Sequence, residues 1–341
     1  MARARRRPGA GGGCAVADAL GKPFETKPST HGAFYDWDGE SYLPGDYPNL
    51  PKPYQDTGEL LNRPGVPTDD TQMSRILGRS LVNGTSAREG YVEWLNGSSF
   101  VGAPRGMGGT IRRSLEAHSK GETPMDCDPR GKCGTGAAMR SGVIGMLDAP
   151  LDIILNVARA DAAITHPGHP EAEVTASAMA LAVMYTKNFA LLDFRGEHKY
   201  KWDLTGFLSD WIGRKWPYSA TTWALRLVDE IVRTNKTSHI CDAGKLTGSV
   251  VLFPDEGVGI TASAILCAAV ASTYKGGVLK AIRLGGDTDT RAAMTGTILG
   301  TKYGTEGVRG IPGEWVSGLY ESKDIMDEDR ALAYPNIRPR G

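Results

Sequence analysis

Apolar residues recur at helical spacing through most of this 341-residue chain. After Thr68, the residues Met73, Ile76, Leu77 and Leu81 fall on one face of a helix. Leu151, Ile154, Leu155 and Ala158 do the same after Pro150, a residue suited to a first helical turn. Leu225, Val228 and Val232 make a third stripe. The stretches 174–185 and 260–271 are apolar nearly all round and rich in alanine. That pattern predicts helices inside a bundle, where small residues permit close approach. Strand signals are few, and 249–253 is the best of them. The pattern predicts an all-α chain, with residues 9–341 forming one compact domain.

Two stretches interrupt the helices. Residues 26–67 are rich in Pro, Gly, Asp and Tyr and read as a long irregular loop, a kind of segment that often serves function. Residues 195–223 carry Trp202, Trp211, Trp216 and Trp223, which read as ordinary aromatic core or as a substrate-facing wall. Residues 1–8 hold four arginines with no apolar stretch after them, and read as a disordered tail, not a secretory signal.

Charge narrows the function classes. Lys plus Arg and Asp plus Glu are each 39, so the net charge is zero. General nucleic-acid binding and attachment to a membrane surface both call for a basic excess and are not expected. The longest uncharged run, 257–274, is full of Ala, Ser, Thr and Gly and reads as buried helix, not a membrane span. The five cysteines fit no zinc or disulfide spacing, which places the chain in a reducing, cytoplasmic setting.

Candidate chemistry lies in two acidic clusters far apart in the chain. One is Thr68-Asp69-Asp70-Thr71; the other is Gly285-Gly286-Asp287-Thr288-Asp289-Thr290. Each opens a helix-like stretch, so N-capping is the plain alternative for either alone. Four carboxylates brought together would repel unless cations sat between them, and such oxygen-rich sites suit Mg²⁺ or Mn²⁺. Glycines at 106, 108 and 109 precede a helix-like run, and Gly134-Thr135-Gly136 follows; both are phosphate cradles or simple turns.

Read in order, Ala17-Asp18-Ala19-Leu20-Gly21-Lys22-Pro23-Phe24-Glu25, the Thr68 cluster, Arg105-Gly106-Met107-Gly108-Gly109-Thr110, Gly134-Thr135-Gly136-Ala137-Ala138-Met139-Arg140, Ile164-Thr165-His166-Pro167 and the Gly285 cluster resemble the ADP-ribosylglycohydrolase family. The resemblance implies an all-α fold, a compact orthogonal helical bundle with a dinuclear metal cleft holding two divalent cations, Mg²⁺ or Mn²⁺. Carried over by position, Thr68, Asp69, Asp70, Asp287, Asp289 and Thr290 would be metal ligands. Glu25, Asp70 and Asp289 would be catalytic. Gly106, Gly108, Gly109, Gly134, Thr135, Gly136 and His166 would bind substrate. Asp18 caps or bonds locally on this reading. The sequence has Ala17 where the family usually has Gly, and Thr135 where it often has Asn.

The implied activity is cleavage of the glycosidic bond between ADP-ribose and an acceptor on a protein, a nucleic-acid base or a small molecule, releasing ADP-ribose. The alternatives are a catalytically silent ADP-ribose-binding or structural member of the fold, and a two-metal phosphoesterase.

Overall fold

The computed structural model describes residues 9–25, 65–124, 134–194, 202–233 and 256–333. These form fourteen α-helices: α1 Ala10–Gly21, α2 Asp69–Asn83, α3 Ala87–Leu95, α4 Gly109–Ser119, α5 Ala138–Ser141, α6 Leu151–Thr165, α7 Pro170–Phe194, α8 Leu204–Lys215, α9 Ala220–Arg233, α10 Glu256–Ala269, α11 Tyr274–Arg283, α12 Thr288–Tyr303, α13 Gly313–Ser317 and α14 Ser322–Ala333. Two 3₁₀ turns, Lys22–Phe24 and Gly142–Met146, extend α1 and α5. No strand occurs among the described residues, and the fold is all-α as the apolar spacing predicts. The strand candidate 249–253, the tail 1–8 and most of the 26–67 loop lie outside the described residues.

The helices at the centre are built of small residues. Thr288 through Thr301 of α12 are all buried, as is nearly all of α1. Glycine is a poor helix former, so the Gly11-Gly12-Gly13 run of α1 needs a tertiary reason. Gly11 and Gly12 lie against Asp329 and Met326 of α14, and Gly13 lies in the contact with α12. A Cβ on Gly13 would overlap Gly296 O, and one on Gly300 would overlap Gly9 O. The two backbones touch because neither carries a side chain there. Ala17 fits for the same reason, since its methyl occupies the space that a Cβ on Gly296 would need. Asp329 of α14 closes the free end of α1, where its Oδ1 accepts a hydrogen bond from Gly11 N at 2.8 Å.

The uncharged run 257–274 is not one helix. α10 ends at Ala269, and Thr273 starts α11 by accepting from Gly276 N at 3.0 Å. The hydroxyl cap costs nothing in hydropathy, so the break is silent in an apolar pattern.

Candidate functional site

The touching backbones of α1 and α12 set the site. A Cβ on Gly21 would lie 2.6 Å from Asp289 Cα, and Thr288 Oγ1 donates to Gly21 O at 2.8 Å. The end of α1 is thereby held against the start of α12. The turn into α12 passes through Gly285 and Gly286, both at φ 71°, a left-handed conformation that glycine adopts without strain. It leaves Asp287 and Asp289 facing inward.

The third element is α2. Thr68 is its extended N-cap. Asp18, fully buried on α1, gathers this start: its Oδ2 accepts from Thr68 N at 2.8 Å, Thr71 N at 3.1 Å and Thr71 Oγ1 at 2.6 Å. Its Oδ1 lies 2.9 Å from Thr68 Oγ1. Those bonds satisfy free N–H groups of a helix N-terminus with a long-range carboxylate. Asp18 is the residue that sequence reasoning undervalued, reading it as a local cap. An acid within an apolar, small-residue helix is itself a signal, because a buried charge needs a partner.

The result is a crowd of carboxylates. Ligand-capable oxygens of Asp18, Asp70 and Asp289 lie within 4.8 Å of one another, and so do those of Glu25, Asp287 and Asp289. Asp289 belongs to both sets. Thr290 Oγ1 reaches Asp70 Oδ2 at 3.4 Å, and Asp70 Oδ1 is buried with no hydrogen-bond partner. Lys22 is the cation in contact with this crowd: its ammonium pairs with Glu25 and lies 3.4 Å from Asp289 Oδ2.

Burial and mutual repulsion raise every one of these acids. Burial, with the Asp289 charge, lifts Asp18 to about 6 against the hydrogen bonds of Thr71 and Thr68. Burial and Asp287 lift Asp289 to about 7. Asp69 and Asp70 are pushed well above the usual carboxylate range by burial and neighbouring acids, and Asp287 and Glu25 also rise, chiefly through burial. Burial pulls the Lys22 ammonium down, but Asp289, Glu25 and Asp69 outweigh it and hold the charge on. An all-oxygen donor set, an excess of negative charge and an orphaned buried carboxylate oxygen together fit hard divalent cations. Asp70, Asp287, Asp289 and Glu25 could hold them, with Thr290 adding a neutral oxygen.

These acids form one end of a cleft of about 380 Å³. Gly106, Gly108, Gly109, Gly134, Thr135, Gly136 and His166 line the remainder. Gly106 sits at φ 83°, and a Cβ there would come 3.1 Å from Asp69 Oδ1. Thr135 Oγ1 donates to Asp287 Oδ2 at 3.2 Å, which ties the Gly134 loop to the acidic end. Every residue singled out by position lines this cleft except Thr68, which is buried behind it against Asp18 and Asp70. Thr110, Ile111 and Met139 line it too; Thr110 and Met139 stand in the motifs quoted above but were given no role there, and Ile111 was not marked. None of Trp202, Trp211, Trp216 and Trp223 does. Trp202 and Trp216 pack against the main core, Trp202 beneath the Lys302 ammonium at 3.0 Å, while Trp211 and Trp223 are exposed.

Behind His166 lies a second buried charge cluster. Arg140 is fully buried; its Nε donates to Asp161 Oδ2 at 2.8 Å, and its Nη2 to Asp161 O at 2.8 Å and Thr165 Oγ1 at 2.9 Å. Its Nη1 donates to Gly136 O, and Tyr91 Oη donates to Asp161 Oδ1 at 2.9 Å. Thr165 Oγ1 lies 2.9 Å from His166 Nδ1.

The family model for ADP-ribosylglycohydrolase matches residues 2–337. The ADP-ribosyl-[dinitrogen reductase] glycohydrolase of Rhodospirillum rubrum is 27% identical over 269 residues, covering 77% of this chain and 76% of that protein. A solved structure described as an ADP-ribosylglycohydrolase-related protein complex superposes with a TM-score of 0.58 at 24% identity, covering 98% of this chain and 99% of its own, and shares the fold. With its family model matched almost end to end, the chain belongs to the ADP-ribosylglycohydrolase family of enzymes.

Proposed function

We propose that this protein hydrolyses the glycosidic bond between ADP-ribose and an acceptor, as one domain spanning 9–341, with two divalent cations, Mg²⁺ or Mn²⁺, at the acidic end of the cleft. The observation that carries this reading is Asp289, shared by two carboxylate sets beside an Asp70 oxygen that is buried without a partner. Asp70, Asp289 and Thr290 would hold one cation, and Glu25, Asp287 and Asp289 the other, with Asp69 and Thr68 beside them. When bound, the cations supply Lewis-acid polarisation and make water more acidic.

The chain's own groups do the rest. Asp18 holds the start of α2 in place through Thr68 and Thr71, which fixes where Asp70 points. The glycine-lined wall at Gly106–Gly109 and Gly134–Gly136 leaves room for a ribose and a diphosphate, and the exposed N–H groups at the start of α4 favour anions. Water adds to the anomeric carbon as the bond to the acceptor breaks; a carboxylate takes one proton and the acceptor regains one. Among Glu25, Asp70 and Asp289, Glu25 is the one partly open to solvent, so it is best placed to exchange that proton. The remaining carboxylates face the positive charge of an oxocarbenium-like transition state.

The substrate partner on this reading is an ADP-ribosylated protein, nucleic-acid base or small molecule, and ADP-ribose is the product. Among the described residues no helix is long and apolar enough to cross a membrane. The cysteine pattern favours a cytoplasmic setting. The test is release of ADP-ribose from arginine-, serine- and nucleic-acid-linked substrates with Mg²⁺, with Mn²⁺ and with EDTA. Metal-dependent release of intact ADP-ribose is expected, and the preferred substrate names the acceptor. Release of AMP instead would identify a phosphoesterase. Binding of ADP-ribose with no release from any substrate would identify a silent member of the fold.

A further inference from the structure

The hydrogen bonds around Thr165 can be assigned proton by proton. Arg140 is a donor only, so the 2.9 Å contact from its Nη2 makes Thr165 Oγ1 an acceptor. The hydroxyl still has its own proton to place, in a position with no access to water. The other polar atom that it meets is His166 Nδ1, at 2.9 Å. Were Nδ1 to carry the ring proton, both neighbours would donate to Thr165 Oγ1 and a buried O–H would have no acceptor. The imidazole is neutral, because burial, Arg140 and His169 depress it to about 3. One ring nitrogen therefore bears a proton and the other does not.

We infer that Thr165 is a positioning residue: it passes the polarity of the buried Arg140–Asp161 pair to Nδ1 and locks His166 in the tautomer with its proton on Nε2. The ring is also held in place. Its Cε1 lies 3.0 Å from where a Cβ on Gly136 would sit, and its backbone N donates to Ala162 O at 2.8 Å. The Nε2 edge lies 3.7 Å from the corresponding position on Gly134, at the cleft wall, and meets no hydrogen-bond partner among the described residues. His166 thus offers the cleft a hydrogen-bond donor, complementary to an oxygen of the bound ligand. It cannot accept the proton of the hydrolysis, which leaves that task to the carboxylates.

The identity of the ligand as ADP-ribose rests on the proposed function; the tautomer does not. The first experiment is a two-bond ¹H–¹⁵N spectrum of the histidine rings in the ligand-free protein, with His166 assigned by its loss in His166→Gln. A protonated Nε2 and an unprotonated Nδ1 are expected. A protonated Nδ1 would overturn the inference, whatever the protein binds. The second experiment uses Thr165→Val, which keeps the shape and removes the hydroxyl, and Thr165→Ser, which keeps the hydroxyl. The valine variant is expected to lose the fixed ¹⁵N pattern and to bind ADP-ribose about tenfold more weakly. The serine variant is expected to keep both within about twofold. An unchanged ring spectrum in a folded Thr165→Val would also overturn the inference; if that variant does not fold, the wild-type spectrum decides. A protonated Nε2 together with no ADP-ribose binding by the wild type would uphold the tautomer and remove the substrate reading.

Discussion

Two buried charge clusters sit a few residues apart in this core, and they are built on opposite terms. Around Arg140 each charge has its partner: the guanidinium is matched by Asp161, Gly136 O and Thr165, and Asp161 by Tyr91 and Arg140. Around Asp289, acids from α1, α2 and α12 share one ammonium among the described residues, that of Lys22, and Asp70 Oδ1 has no hydrogen-bond partner there. The first cluster is complete within the chain and rigidifies it. The second is left with more acids than cations among the described residues, and on the proposed reading divalent cations complete it. Satisfaction, not burial or net charge, separates a structural polar cluster from a functional one here.

The sharpest way to break the comparison is Asp289→Ala. It removes the carboxylate common to both sets, so turnover should fall by about 10³-fold or more. The metal-free protein should meanwhile gain on the order of 1–3 kcal/mol at pH 8, because a buried repulsion is relieved. Activity assays beside thermal melts in EDTA read both effects. Arg140→Met should do the reverse. It strands Asp161 in the core and should cost about 3–5 kcal/mol, measured by urea unfolding, and it also frees Thr165 and Gly136 O from the guanidinium, so activity should fall through His166 and the cleft wall as well. A stabilised Arg140→Met or a destabilised Asp289→Ala would erase the distinction.

The pH dependence sharpens it further. Asp18 and Asp289 rise from 3.8 to about 6 and about 7, so the folded protein binds more protons than the unfolded chain between about pH 4 and 7. Stability of the metal-free protein therefore falls as pH rises through that window. His166 works the other way, since a value near 3 loses stability as pH falls below 6.5, but it is one group against several acids. The melting temperature in EDTA should drop by at least about 2 °C from pH 5.5 to pH 8. Saturating Mg²⁺ or Mn²⁺ should remove that drop, because cations favour the ionised acids.

The smallest effect is the control. Arg214 and Asp210 form an exposed pair one helical turn apart on α8. Arg214→Ala should change stability by no more than about 0.5 kcal/mol and leave activity alone.

The sequence carried the acidic end of the cleft well, because Asp-Thr clusters at helix starts are local patterns. The same holds for the apolar stripes of α2 and α6. It carried Asp18 poorly, because its partners Thr68 and Thr71 lie 50 and 53 residues away and only the α1–α2 packing joins them. Lys22 stood inside a recognised motif, but its role was hidden for a related reason. A lysine after a glycine reads as a solvated surface residue until Gly21 is pressed against Asp289. Arg140 stood inside a recognised motif, yet its role depends on α6, and no spacing rule links the two. Thr110 and Met139 also stood inside recognised motifs with no role assigned; they and Ile111 reach the cleft by the way α4 and α5 pack.

The central claim is that the Asp289 cluster is completed by two cations. Protein stripped with EDTA and titrated with Mn²⁺ by calorimetry tests it directly. The account predicts two Mn²⁺ per chain for the wild type, with both sites weakened or lost in Asp289→Ala. Absence of Mn²⁺ and Mg²⁺ uptake by the wild type, or two unchanged sites in Asp289→Ala, would contradict it.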